Sequence, residues 1–97
     1  MINALKISEK DNVVVVIENI KKDDIVDYKD LDGTEKTLKA LTDTKIYHKI
    51  ADRDIKKGEN IVKYGEHIGI AIKDIKKGEH VHTENTEGQR EDLKEKE

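Results

Sequence analysis

The densest group of side chains that could do chemistry lies in residues 78–85, which read GEHVHTEN. His80, His82 and Glu84 follow one another at intervals of two, so a β-strand would place all three on one face. Their types match a metal site of two histidines and one carboxylate. A straight strand would separate His80 from Glu84 by roughly 13 Å, which is too far for one ion. Two neighbours with a ligand from elsewhere could form a site, and a solvated strand face is the alternative.

Two other places carry polar side chains in compact contexts. In the sequence Lys63-Tyr64-Gly65, the lysine offers a charge and the tyrosine a hydroxyl, and together they could receive an anionic ligand. The alternative is that Tyr64 packs on the core while Lys63 is solvated. His48 follows an apolar stretch and, alone, is more typical of a hydrogen-bonded structural histidine. His67 falls in a predicted turn, where we expect it to be exposed and inert.

A repeated phrase indicates the elements that position these residues. DIKKGENI at 54–61 returns as DIKKGEHV at 74–81, and a weaker copy, NIKKDDIV, stands at 19–26. Asp or Asn before Ile favours a bend capped by its side chain, and Lys-Lys-Gly suits a turn tip with positive φ. A β-branched residue then begins an extended run. The phrase therefore predicts similar turns between short strands.

The hydrophobic pattern predicts a mostly β domain. Residues 12–17, NVVVVI, form a continuous apolar run that is typical of a buried strand. Residues 31–34, LDGT, carry a turn signal, and 35–41 is favoured as a strand over a helix. The remaining predicted strands are 25–28, 47–51, 61–64, 69–72 and 81–84.

Composition bounds the class of protein. The chain has 97 residues, 42% of them charged, a net charge of −3, and no Cys, Trp or Phe. This predicts one small domain over residues 1–88 with a thin core and a charged tail over 89–97. No basic, aromatic-rich patch indicates nucleic acid, no thiolate chemistry is available, and no segment is apolar enough to span a membrane. We expect a cytoplasmic protein.

Several phrases, taken in order, resemble one family. They are DNV at 11–13, HKIA at 48–51, DI at 54–55, KYG at 63–65, IG at 68–69, DI at 74–75 and GEHVH at 78–82. This order is similar to the small N-terminal SAF domain of the altronate dehydratase family, whose relatives include galactarate dehydratase and the small subunit of sulfolactate sulfo-lyase. The resemblance covers about residues 11–88 and implies a β-clip fold. It further implies a separate small subunit with a large catalytic subunit as partner, and it leaves a homo-oligomer open.

The resemblance implies dehydration of a sugar acid to a 2-keto-3-deoxy acid, with a divalent metal, iron, as cofactor. On this basis His48 and His82 are the expected catalytic residues. Lys63, Tyr64 and Asn85 are the expected substrate-binding residues, and His82 with Glu84 the expected metal ligands, whereas His80 could be structural only.

Two departures from the family pattern stand out. The family usually ends this motif His-x-His-Asn, whereas this chain has His82-Thr83-Glu84-Asn85, so Glu84 must replace a histidine or the role is lost. The family also tends to place Gly where Tyr47 precedes His48, which leaves the local turn open. A sulfo-lyase subunit and a non-catalytic carbohydrate- or protein-binding module are the alternative functions.

Overall fold

The computed structural model describes residues 1–88, so the tail predicted at 89–97 lies outside the described residues. The described part contains nine strands, joined by turns and bends. They are β1 (Ala4–Leu5), β2 (Val13–Val16), β3 (Ile25–Lys29), β4 (Glu35–Lys39), β5 (Lys49–Ala51), β6 (Asn60–Lys63), β7 (Glu66–Ala71), β8 (His80–Val81) and β9 (Thr86–Gly88). The mostly β prediction is confirmed. Within residues 1–88 no helix has the length and apolar character needed to cross a membrane.

The strands form three small antiparallel sheets. The central sheet has the order β1-β2-β5-β8, the β3-β4 hairpin forms the second, and β6-β7-β9 forms the third. The chain leaves the central sheet at the end of β2, makes the β3-β4 hairpin and returns as β5. It then leaves again, makes the β6-β7 hairpin and returns as β8. Each excursion is therefore a turn, a hairpin and a second turn.

The core lies on both faces of the central sheet. Side chains alternate along β2, so Val14 and Val16 pack on the β3-β4 side while Val13 packs towards β6-β7. Ile50 and Ala51 divide in the same way on β5. Because both faces are covered, all four valines of β2 are buried, as the apolar run predicted.

Four turns of one design connect these elements, and they form two reciprocal pairs. In the first pair Ile20 bridges Thr44, and in the second Ile55 bridges Ile75. The first side chain of each turn accepts an N–H from the fourth residue of its mate, as Asp54 does from Lys77. The other three such bonds join Asp74 to Lys57, Asp43 to Lys22 and Asn19 to Ile46. The repeated phrase predicted three of these turns.

The fourth turn, at 43–50, escaped the sequence analysis because its second, fourth, fifth and sixth residues all depart from the phrase. The fifth position has positive φ in every turn: 77° at Asp23, 71° at Tyr47, 92° at Gly58 and 94° at Gly78. The turn at 43–50 therefore has the same backbone conformation as the others, although Tyr47 replaces the glycine that the family pattern has there. The cost is a bulky residue in the left-handed region.

Two sequence predictions are wrong in detail. The strand expected at 81–84 ends at Val81, because the chain turns back at 82–85 and resumes as β9. His67 lies on β7 rather than in a turn, although it is exposed as expected. The short β1 and β9 carry too few periodic residues for the pattern to detect.

Candidate functional site

The turn at 43–50 delivers His48 to one end of the central sheet. In the other three turns the sixth residue is acidic, and it accepts the backbone N–H of the third residue. The pairs are Asp24 with Lys21, Glu59 with Lys56 and Glu79 with Lys76. His48 occupies that sixth position, and its imidazole instead contacts other histidines. Because His48 stands where the other turns have an acidic residue, this turn lacks the hydrogen bond to its third residue, and the His48 ring is available to contact other side chains.

Asn85 fixes the backbone that carries the other two histidines. Its side chain is buried, its Oδ1 accepts the N–H of His82 at 3.0 Å, and its Nδ2 donates to the carbonyl of His80 at 2.7 Å. Thr86 Oγ1 adds a 2.8 Å bond to the carbonyl of His82. These bonds close the turn after β8. They give Asn85 a positioning role, and the substrate contact suggested by the resemblance stays a prediction.

Three histidine rings meet at this end of the sheet. His48 stacks on His82 with ring centroids 4.4 Å apart and on His80 at 5.1 Å. Each residue offers one ring nitrogen such that these atoms all lie within 4.8 Å of one another. The sequence analysis expected His48 and His82 in a site and left open whether His80 is only structural. The geometry brings all three together, and we call them the histidine cluster.

Glu84 lies at the edge of the histidine cluster. Because the chain turns back after His82, the Glu84 carboxylate comes within 2.9 Å of His80 Nδ1. An ionised carboxylate can only accept, so it selects the Nδ1–H form of a neutral His80. His80 Nε2 then accepts from His48 Nδ1 at 2.9 Å, and His48 Nε2 keeps a free lone pair. Glu84 therefore does not lie on one straight strand with His80 and His82, which is the arrangement that the sequence analysis considered.

The surroundings favour a neutral His48. Partial burial lowers the pKa of its imidazole, and the neighbouring His82, His80, Lys49 and Lys45 lower it further. A neutral imidazole is the form that binds metals and accepts protons. His48 and His80 also line an open groove of about 640 Å³ beside the first pair of turns.

Lys49 is a further candidate residue that the sequence analysis did not single out. It is the first residue of β5, directly after His48, and its side chain lies towards the β6-β7-β9 sheet. There it lines a cleft of about 220 Å³ together with His82, Thr83 and Thr86. Burial lowers the pKa of the Lys49 ammonium, and the charge of Lys63 lowers it further. Its only signal in sequence was its place in the HKIA phrase.

Lys63 and Tyr64 lie at the tip of the β6-β7 hairpin. Lys63 pairs with Glu66 across a two-residue turn in which Tyr64 and Gly65 both have positive φ, at 57° and 79°. The Lys63 ammonium lies 5.0 Å from the centroid of the Tyr64 ring, which is about half exposed. Buried Asp11 fixes the turn by accepting the N–H of Gly65 at 2.8 Å. Tyr64 therefore does not pack in the core.

The fold and this arrangement of residues define the class. Residues 2–89 match the family model described as the altronate/galactarate dehydratase SAF domain. The chain belongs to this family, as its motifs predicted.

Among curated proteins, the chain is 36% identical over 89 residues to altronate dehydratases of Bacillus subtilis (strain 168) and of Escherichia coli (strain K12). In each case the match covers 92% of this chain and 17% of the relative, so the chain spans about a sixth of their length. It is also 39% identical over 59 residues to the (2R)-sulfolactate sulfo-lyase subunit alpha of Paracoccus pantotrophus. That match covers 61% of this chain and 88% of the relative.

Proposed function

We propose that this chain is the small component of a lyase that acts on sugar acids, an altronate dehydratase-like hydro-lyase, and that it contributes the histidine cluster to an active site shared with a larger subunit. The observation that carries the proposal is the convergence of His48, His80 and His82. Their ring nitrogens are supplied by the turn at 43–50, by strand β8 and by the turn that follows β8. The family membership supports the reaction class, and the cluster supports a part for this chain in it.

The histidine cluster fits a divalent metal. Three imidazoles suit ions such as Fe²⁺ and Zn²⁺, and ligand atoms within 4.8 Å of one another need only small movements to reach one ion. Iron is therefore compatible with the donors, although they do not select it over zinc. His48, His80 and His82 would hold the ion, and Glu84 would orient His80 from outside, as partners of metal-bound histidines do. A bound metal would supply Lewis acidity for the substrate's oxygen atoms.

The reaction needs proton transfers that this chain's own groups suit. Dehydration removes the proton on the carbon next to the carboxylate and expels a hydroxide, which takes a proton to leave as water. The enol that results then becomes the 2-keto-3-deoxy acid. An imidazole with a free lone pair is the type of group that accepts such a proton, and His48 Nε2 would serve only in an arrangement in which His80 and His82, but not His48, hold the ion. The cluster would hold that proton, while the larger subunit would complete the site.

A second candidate is the small subunit of a sulfo-lyase, which releases sulfite from a similar hydroxy acid. The observation in its favour is coverage, because the match extends over 88% of a relative that is itself named a subunit. The dehydratase relatives, by contrast, are matched over 17% of their length. Both candidates place the domain beside a larger catalytic unit. The identity of that unit would decide the leaving group.

The first test is metal binding by the chain itself. We would titrate Fe²⁺ without oxygen, and Zn²⁺, into the wild type and into His82→Ala, Glu84→Gln and His67→Ala, and follow the affinity by calorimetry. Loss of His82 should weaken binding by about 100-fold or more. Glu84→Gln should weaken it by only about 10-fold, since it acts through His80. His67 is exposed on β7 and serves as the matched control, so its loss should change nothing.

Turnover tests the shared site. The chain would be purified with the partner that its native host supplies, and the complex assayed for dehydration of altronate and galactarate and for release of sulfite from sulfolactate. His48→Ala and His82→Ala should each reduce turnover by about 100-fold or more, which is the effect of losing one well-placed catalytic group. Unchanged turnover in both variants would favour a non-catalytic binding module. Turnover by the isolated chain would contradict the shared site.

A further inference from the structure

Among the residues that the structure describes, the cleft beside His82 holds a cation, Lys49, that makes no ion pair. Lys49 lies partly buried there, and within residues 1–88 the charge that acts on it most strongly is another cation, Lys63. The remaining polar walls are His82, Thr83 and Thr86, none of which is anionic. The Thr86 hydroxyl already donates to the carbonyl of His82, whereas Thr83 is exposed at the mouth. The cleft therefore concentrates positive charge and hydrogen-bond donors.

Lys6 shows how the same chain treats a lysine that has only a structural role. Its side chain is 5% exposed, and its ammonium lies 2.9 Å from Asp52 and 3.6 Å from Asp30. Burial of a charge is costly unless it is paired, and Lys6 is paired twice. Within residues 1–88, Lys49 is partly buried without such a partner. Its unfavourable placement is offset if an anion enters the cleft.

We propose that the cleft is an oxyanion subsite, in which Lys49 binds the carboxylate of a hydroxy acid with help from Thr83 and from the charge of Lys63. The choice of a hydroxy acid rests on the proposed function, and the subsite itself rests on the cleft. Its volume of about 220 Å³ is several times the roughly 30 Å³ of one water molecule, so a small acid fits. A carboxylate held there would lie next to His82, which forms a wall of the cleft and also belongs to the histidine cluster. Lys49 then makes the direct contact with the carboxylate. Lys63, which the sequence analysis singled out, contributes the attraction of its positive charge from a distance.

The test is binding of glycolate, the simplest 2-hydroxy acid, to the metal-free chain. Isotope-labelled protein is titrated with sodium glycolate, and NMR follows the Lys49 side-chain methylene and the Thr83 amide. The controls are sodium chloride at equal ionic strength and Lys57→Gln, which removes an exposed lysine in a turn. Lys49→Gln should weaken glycolate binding by about 10-fold or more, the value of one charge-assisted hydrogen bond. Lys49→Arg should retain most of it, which separates loss of charge from loss of folding.

Equal glycolate affinity in Lys49→Gln, or the same shifts with chloride, would overturn the subsite. Metal titration of the same variant separates this outcome from the proposed function. Normal metal affinity without a Lys49-dependent glycolate site means that the subsite alone fails. Glycolate binding that depends on Lys49 in a chain that binds no metal leaves the subsite standing and removes the metal centre.

Discussion

The two pairs of turns share one backbone design but differ in what their side chains do. In the pair at 54–61 and 74–81, the fifth residue is glycine and the sixth is a glutamate that accepts a backbone N–H of its own turn. In the pair at 19–26 and 43–50, the second member has Tyr47 and His48 at these positions. Tyr47 adopts the glycine conformation at a cost, and His48 leaves the turn to join two other histidines. The departure from the common design lies at the site.

This difference separates residues that serve stability from residues that serve a ligand. In the regular pair, glycine adopts the positive φ without strain and the glutamate accepts a backbone N–H of its turn. These two positions are therefore stable without a ligand. A strained tyrosine and a histidine in a cluster of like side chains are less favourable in the isolated domain. Such costs are typical of functional sites, and the following predictions test whether they are real.

The largest expected effect is on the regular pair, where Gly78→Ala can be compared with Gly58→Ala. Both glycines have φ near 90°, so both substitutions introduce backbone strain of about 1 kcal/mol or more. At Gly78 a Cβ would also clash with the carbonyl oxygen of Lys39, whereas at Gly58 nothing lies within 4 Å. We expect Gly78→Ala to lower the free energy of unfolding by about 3 kcal/mol or more and Gly58→Ala by about 1 kcal/mol. Urea denaturation measures both.

Equal losses of unfolding free energy at the two glycines would mean that the close contact between the turn at 74–81 and β4 is absent. That contact matters because Gly78 also accepts the N–H of Leu41 and lies two residues before His80. A displaced Gly78 would move the backbone that carries the histidine cluster. Metal affinity of Gly78→Ala, measured on the folded fraction, should therefore fall together with stability, while that of Gly58→Ala should not.

The sequence predicted the three turns that begin with Asp or Asn, Ile, Lys and Lys, followed by Gly or Asp and then an acidic residue. The turn at 43–50 was missed because its fifth residue is Tyr47, and a tyrosine gives no indication of the positive φ that this position requires. The cluster was predicted in part, through His82 and, by resemblance, His48. The position of the His80 ring and the return of the chain to Glu84 depend on the buried Asn85 side chain. Its two hydrogen bonds hold the turn that follows β8. Lys49 required knowledge of which cleft its strand face borders.

A smaller effect is expected from pH in the metal-free chain. The pKa of His48 is lowered from its ordinary value of 6.5, first by burial and then by its cationic neighbours. The unfolded chain therefore binds more protons than the folded one near and below pH 6.5, so stability rises with pH there. We expect the melting temperature to be constant above about pH 7.5 and to fall as the pH drops through 6.5. Thermal denaturation between pH 5 and 8 measures this.

His48→Gln should flatten that pH dependence, because the variant removes the group whose protonation the fold opposes. His67→Gln is the matched control, since His67 is exposed and lies outside the cluster. An unaltered slope in His48→Gln would show that the irregular turn places no such penalty on its histidine. The contrast with the glutamates of the regular pair would then lose its electrostatic part.

The smallest effect, and the only gain, is expected from Tyr47→Gly. Tyr47 is 71% exposed, so its removal forfeits little packing, and glycine adopts its φ of 71° without strain. The relief of left-handed strain, roughly 1–2 kcal/mol, is partly offset by the greater freedom of glycine when unfolded. We expect a net stabilisation of about 0.5–1 kcal/mol, measured by urea denaturation. Asp23→Gly at the equivalent position of the paired turn should gain less, because Asp tolerates this conformation better. A destabilised Tyr47→Gly would mean that the tyrosine supports the fold, and its presence at this turn would then need no ligand to explain it.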